Sequence, residues 1–259
     1  MSTTYLVSRT DAIGDVVLTL PVCGWLKEQR PGCRVVLIGR SYTAAVAAAC
    51  PWVDDFLNLD ELQALPEPTQ VAALSRYEAA AIIHVFPNKL LARLAHKARI
   101  PLRIGTRNRW QHWLSCNRLV ALSRRHSPLH EAQLNLQLLR PLGFAGEMSL
   151  ADIAPLVQLR PTEALAPQWQ QLLQARQPGQ LNLILHPRSR GSAREWGLEN
   201  FGQLARLLQQ AGHRVLITGT AAEVTPVGEI GPYRYTPATL SKTIMDDYTA
   251  EVMPKAAAA

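Results

Sequence analysis

Short runs of branched and aliphatic residues alternate with helix-length stretches along the first hundred residues, and this alternation constrains the fold more than any other feature. Thr3–Ser8, Arg34–Ile38, Phe56–Leu59 and Ala80–Phe86 read as strands. Between the first two, Asp15–Gln29 reads as a helix with Val16, Val17, Leu20, Cys23, Trp25 and Leu26 as its apolar positions. Pro21 lies inside it and either bends it or restarts it after one turn. Tyr42–Ala49, Lys89–Lys97 and His130–Leu142 are further helices. Strands separated by helices cannot pair as hairpins, so the pattern predicts an α/β unit with a mainly parallel sheet.

The pattern pauses and then resumes. Leu150–Pro167 is punctuated by prolines and reads as an interdomain connector. Leu181–His186 is then a strand, Leu198–Ala211 an amphipathic helix and His213–Thr218 a second strand. Two α/β domains, 1–150 and 168–259 joined by a connector over 151–167, are expected to meet at a cleft crossing the carboxyl ends of both sheets. Two strand candidates followed by a Pro/Gly-rich stretch and an alanine tail are too few for a doubly wound sheet, so the second half reads as incomplete or as dependent on a partner.

At 259 residues the chain can bury a sizeable core, and its 47% apolar and 18% charged content suits a water-exposed globular protein. No run of 18 apolar residues occurs and the amino terminus lacks the layout of a signal peptide, so a cytoplasmic protein is expected. Cys23, Cys33, Cys50 and Cys116 form no CxxC pair, which predicts free thiols. The net charge of +7 is uneven: ten Lys and Arg residues and no Asp or Glu lie between Phe86 and His130. Such a block recruits anions if it is not simply a solvated face, with phosphorylated glycan, anionic lipid or nucleic acid as the classes to weigh. No nucleic-acid recognition motif accompanies it, so nucleic acid is not expected. Trp110 and Trp113 in the same block suit either a membrane interface or a core.

Three strand-to-helix turns carry candidate chemistry. The first is Arg9-Thr10-Asp11-Ala12-Ile13-Gly14-Asp15. Gly14 allows a tight turn or a close substrate approach. Asp15 at a helix start is an N-cap, a metal ligand or a general base. The turn lacks both the GxGxxG and the Walker patterns. The second, His186-Pro187-Arg188-Ser189-Arg190-Gly191-Ser192-Ala193-Arg194, offers arginine forks and helix N–H groups to a phosphate. The third, Gly219–Glu223, could place a carboxylate on a ribose, although by itself it reads more readily as a turn than as a site. The seven histidines form no HExxH or other ligand cluster, so no metal and no cofactor are expected.

Taken together, Arg9–Gly39 and Leu183–Glu223, with a looser match over Tyr77–Arg109, resemble the heptosyltransferases of glycosyltransferase family 9, which build the inner core of bacterial lipopolysaccharide. The resemblance covers about residues 4–223. It implies a GT-B arrangement of two Rossmann-like domains with parallel sheets, an acceptor-side domain over 1–150 and a donor-nucleotide domain over 168–259. It implies inverting, metal-independent transfer of a heptose from ADP-heptose to a sugar hydroxyl of a lipid-anchored core oligosaccharide. By position in the motifs, Asp15 matches the family's catalytic aspartate and Gly14 accompanies it. Arg194 stands where the family has a phosphate-binding lysine, Ser189 where a small hydroxyl helps hold the diphosphate, and Glu223 at the ribose-binding glutamate. Arg9, Arg188 and Arg190 are further candidate contacts to phosphate or acceptor. A monomer is expected, with the 86–130 block against the acidic acceptor or the inner face of the inner membrane. The family's Gly-Pro-x-His turn is absent, while Ser241–Met253 resembles the family's closing segment. This departure implies an internal loss and opens an alternative, a catalytically impaired remnant that binds glycan or a partner.

Overall fold

The computed structural model describes residues 2–108, 110–124, 127–164, 167, 170–171, 177–187, 196–217, 229–230 and 233–234. The chain divides into two units, Met1–Thr162 and Glu163–Ala259.

The first unit is built on a six-stranded sheet of β1 (Thr4–Ser8), β2 (Arg34–Gly39), β3 (Asp55–Asn58), β4 (Ala81–His84), β5 (Leu102–Thr106) and β6 (Arg118–Val120). The strand order is β3-β2-β1-β4-β5-β6 and every pairing is parallel. The inner strands β1, β2 and β4 are buried on both faces, which explains their unbroken aliphatic runs. Val7, Val35, Leu37 and Ile83 face one core with Cys23, Leu26 and Leu136. Leu6, Val36, Ile38 and Ile82 face the other with Leu62, Leu74 and Leu94.

Over the helical stretch expected at 15–29, helices α1 (Ile13–Val17) and α2 (Leu20–Gln29) show the restart, not the bend, that Pro21 allowed. Pro21 explains the break. It sits in the first turn of α2, where a missing N–H costs nothing, so the helix restarts there. A 3₁₀ turn at Ser41–Thr43 leads into α3 (Ala44–Ala49). Helices α4 (Leu59–Gln63) and α5 (Glu67–Ser75) precede β4, α6 (Lys89–Lys97) follows it, and α7 (Trp110–Ser115) links β5 to β6. Helix α8 (Glu131–Gln137) opens with a capping box, in which His130 accepts from the Ala132 N–H and the Gln133 side chain accepts from the His130 N–H. Helix α9 (Leu150–Ile153) and a 3₁₀ turn at Ala154–Leu156 follow, and Ile153 and Leu156 are buried in the first unit's core. The stretch 150–156, read as the start of a connector, thus packs as part of this unit.

In the second unit, β7 (Asn182–Leu185) and β8 (Arg214–Ile217) pair in parallel around α10 (Leu198–Gln210), a βαβ unit. Strands β9 (Glu229–Ile230) and β10 (Tyr233–Arg234) pair antiparallel.

Candidate functional site

The order β3-β2-β1-β4-β5-β6 places a topological switch between β1 and β4. The chain leaves β1 toward β2 on one side and leaves β4 toward β5 on the other. The loops after these strands therefore diverge and open a crevice at their carboxyl ends, where parallel α/β sheets bind ligands. Residues 9–12 form one wall and residues 85–88 the other. The walls are tied at the base, where the Val85 and Phe86 N–H groups both donate to the Ser8 carbonyl.

Arg9 sits at the centre of this crevice, and only 5% of its side chain is exposed. It donates from Nε to Asp11 Oδ1 (2.6 Å), from Nη2 to Asp15 Oδ1 (2.7 Å) and from Nη1 to Glu131 Oε1 (3.0 Å). Its guanidinium lies 5.8 Å from the Phe86 ring centroid. Glu131 arrives from the first turn of α8 and is held a second time by Arg124 Nε, at 2.9 and 3.0 Å to its two oxygens. Arg124 also donates to the Val85 carbonyl and to Asn135 Oδ1, while Asn135 Nδ2 donates to the Leu18 carbonyl. The network joins the loop after β1, the loop after β4 and α8 into one rigid floor.

Asp15 is not the N-cap that one sequence reading allowed. Ala12 occupies that position without a side-chain cap bond, and Asp15 is the third residue of α1. Its carboxylate instead pairs with Arg9 through Oδ1, while Oδ2 makes no hydrogen bond among the described residues. With a side chain 36% exposed, Asp15 is the most open of the three carboxylates. A carboxylate held by one oxygen and presenting the other can take a proton from a bound hydroxyl. Burial pushes the Asp11 carboxyl above its ordinary range; Arg9 opposes the rise and the charge of Asp15 adds to it. Two guanidinium groups thus face three carboxylates, a geometry in which Arg9 is committed to the protein. A phosphate would have to displace one of these carboxylates to reach it.

Gly14 has neither a positive φ nor crowded surroundings, so the backbone does not require glycine there. A Cβ would meet nothing within 4 Å, and the bare Cα leaves open space beside Asp15.

Beneath the crevice lies a polar pair that periodicity did not reveal. Ser8 Oγ is 3.2 Å from His84 Nδ1, and the two residues are in register on β1 and β4. The His84 and His112 rings lie 5.6 Å apart. Burial lowers the His84 pKa to about 3, with smaller contributions from His112 and Arg103, so the imidazole is neutral. His112 Nδ1 accepts from the Thr106 N–H at 2.9 Å and lies against Gly105, where a Cβ would be 2.6 Å from that nitrogen.

Of the other expected site residues, Arg188, Ser189, Arg190, Arg194 and Glu223 lie outside the described residues. The site member that sequence reasoning missed is Glu131, 122 positions from Arg9. Its one sequence signal is that it is the first acid after the acid-free stretch 86–130. Several cations of that stretch have structural partners. Lys97 and Arg93 pair with Glu67, Arg124 with Glu131, and Arg103 donates to the Ser115 and Ile100 carbonyls. All four cysteines are buried and free. Among the described residues no group of three His, Cys, Asp or Glu side chains is arranged to hold a metal ion, and no helix is long and apolar enough to cross a membrane.

No protein-family model matches the chain. A Haemophilus influenzae protein named "Putative glycosyltransferase" is 26% identical over 223 residues, covering 84% of this chain and 64% of that protein. The chain therefore spans less than two thirds of the length of this curated relative. Among solved structures, a glycosyl transferase family 9 protein from Veillonella parvula matches 98% of the chain and 67% of its own, with a TM-score of 0.61 at 14% identity. The E. coli heptosyltransferase WaaC with ADP-2-deoxy-2-fluoro heptose matches 95% of the chain and 73% of its own, with a TM-score of 0.60 at 16% identity. E. coli ADP-heptose LPS heptosyltransferase II matches 83% of the chain and 63% of its own, with a TM-score of 0.59 at 15% identity. With its two parallel α/β units, the chain has the GT-B-type, Rossmann-like fold of these solved structures.

Proposed function

We propose that the chain is a glycosyltransferase that moves a heptose from ADP-heptose to a hydroxyl of the lipid-anchored inner core of lipopolysaccharide, with inversion and without a metal. The observation that carries this reading is the Asp15 carboxylate, held through one oxygen by a buried arginine at the switch point of a parallel sheet. In the proposed reaction Asp15 Oδ2 takes the proton of the acceptor hydroxyl as that oxygen attacks the anomeric carbon. The bond from the anomeric carbon to the phosphate oxygen breaks, and its electron pair leaves with ADP. The residues 1–150 present the acceptor and 168–259 the donor nucleotide. Ser189 and Arg194, with Arg188 and Arg190, stabilise the charge growing on the departing diphosphate, and Glu223 holds the ribose. These five roles rest on the sequence, in the chemistry of the 186–194 turn and in the family resemblance.

Asp15 works as a base through its position. The rate gain comes from a fixed oxygen next to the nucleophile and from exclusion of water as substrates fill the crevice. The test is incubation with ADP-heptose and a truncated core acceptor, with mass detection of ADP and of the extended glycan. Both products together support transfer. Glycan binding with no ADP release supports instead the reading of a non-catalytic remnant. Thermal stabilisation by ADP-heptose, but not by NAD or ATP, is the accompanying expectation for the donor.

A further inference from the structure

Two aromatic side chains stand exposed at the carboxyl end of the sheet, beside the Asp15 crevice. Tyr42, 51% exposed, lies in the 3₁₀ turn after β2, and Phe86, 37% exposed, lies in the loop after β4. The strand order β2-β1-β4 sets the loop after β1, with Arg9 and Asp11, between them, and Arg9 Nη2 holds Asp15 there. Two strand spacings, about 10 Å, separate β2 from β4. A lone exposed ring is ordinary on a protein surface. These two differ in being held.

Tyr42 Oη donates to the Asp11 carbonyl at 2.7 Å. Its turn is fixed from the other side by Asp60, which accepts from the Ser41 N–H at 2.9 Å and from the Ser41 hydroxyl at 3.0 Å, and which pairs with Arg40. Burial pushes the Tyr42 hydroxyl above its ordinary range; the charges of Asp11 and Asp15 add to the rise and Arg40 opposes it. The phenol therefore lies within electrostatic reach of both carboxylates. Phe86 is held by its N–H, which donates to the Ser8 carbonyl at 3.3 Å, and by its ring, whose centroid lies 5.8 Å from the Arg9 guanidinium. Both rings are ordered before anything binds, which lowers the entropic cost of using them.

Open aromatic surface next to carboxylates suits a ligand that is apolar on one face and rich in hydroxyls at its edge. A pyranose ring is such a ligand. Its C–H groups pack on the negative face of an aromatic ring, while its hydroxyls turn outward to donate to acceptors such as a carboxylate. A purely apolar ligand would strip water from Asp11 and Asp15 without replacing it. An anion would meet three carboxylates whose guanidinium partners, Arg9 and Arg124, are already engaged. We propose that Tyr42 and Phe86 are the two aromatic faces of a sugar-binding site, on which pyranose rings of the acceptor glycan stack as one hydroxyl reaches Asp15. The stacking stands without Asp15 chemistry; that the stacked sugar is the acceptor rests on the proposed transfer reaction.

The experiment is titration calorimetry on the full chain with the truncated core oligosaccharide, freed of its acyl chains, and separately with ADP-heptose. Tyr42→Ala and Phe86→Leu should each weaken glycan binding about tenfold, while donor affinity stays within about twofold of the parent. Tyr42→Phe keeps the ring and loses its anchor, so it should fall between the parent and Tyr42→Ala. Phe86→Tyr should keep most of the affinity, a rescue that general destabilisation would not give. In a transfer assay the losses should appear in the acceptor KM rather than in kcat. Both side chains are exposed, so circular dichroism of each variant should match the parent. Glycan binding that both single variants leave unchanged, or no glycan binding by the parent, overturns the proposal. So does loss of ADP-heptose binding with glycan binding intact, which would assign the rings to the nucleobase. Glycan binding that the ring variants lose, in a chain that transfers no heptose, supports the stacking site and refutes only the transfer reading.

Discussion

Replacing Arg9 with alanine removes the one cation that three carboxylates share, and its cost follows from their exposure. Breaking a fully buried ion pair by deleting one partner costs about 3–5 kcal/mol. Arg9 is 5% exposed, but Asp11 and Glu131 are 22% and Asp15 is 36% exposed, so water can resolvate part of what is stranded. Arg124 also continues to hold Glu131. The expected loss is therefore about 2–3 kcal/mol at pH 7, below the buried limit and above the roughly 0–1 kcal/mol of a surface pair. For a unit of this size it corresponds to a fall of about 5–10 °C in the melting temperature.

The pH dependence of that loss is a sharper check than its size. Burial already raises the Asp11 carboxyl, and without Arg9 the opposing pull disappears. A folded carboxyl raised above its unfolded value lowers stability at high pH, and the deficit recedes as pH falls toward the unfolded value, near 3.9 for Asp. The difference between parent and Arg9→Ala, measured by denaturant unfolding, should therefore shrink from pH 7 to pH 4.5. Arg9→Lys, which keeps the charge but not the fork, should fall between the two. A deficit below about 0.5 kcal/mol, or one constant across that range, would refute the placement of Arg9 at the centre of a charge cluster.

Two further outcomes probe neighbouring parts of the site. Gly14→Ala adds a methyl in open space within a helix, so it should leave stability unchanged or raise it by up to about 1 kcal/mol. Turnover should fall about tenfold or more where a sugar needs that space; melting and transfer assays on one preparation separate the effects. His84 is lowered to about 3 when folded, below the unfolded 6.5, so the unfolded chain takes up a proton that the folded one refuses. Stability should then decline below pH 6.5, by up to about 1.4 kcal/mol per pH unit, and His84→Asn should flatten that decline between pH 6.5 and 4.

Where side-chain pattern is local, the fold was legible in the sequence. The buried strands β1, β2 and β4 announced themselves by aliphatic runs, and α6 by its 3.6-residue periodicity between Asn88 and Ala98. Pro21 marked the break between α1 and α2 because its chemistry admits only a first-turn position. Strands β5 and β6 went unread, since Pro101, Arg103 and Arg118 gave the segment the look of a basic surface. Helices α4 and α5 were missed because Pro66 and Pro68 interrupt any helical repeat. At the site, Asp15 could be found because it lies in the turn after the first strand. Glu131 could not, because its partner is remote in sequence and only the folding of α8 beside β1 joins them. The N-cap alternative for Asp15 was decided by where α1 starts: Ala12 takes the cap position and Asp15 falls third in the helix.

The central claim is that Asp15 takes the acceptor's proton. Its most direct test is Asp15→Asn, which keeps the side chain's shape and can still occupy its place beside Arg9, assayed for heptose transfer and, separately, for ADP-heptose binding. Turnover should fall by about a hundredfold or more, while donor affinity stays within about twofold of the parent, a difference well under 1 kcal/mol. Undiminished turnover in Asp15→Asn, measured in a parent chain that transfers heptose, would contradict the assignment.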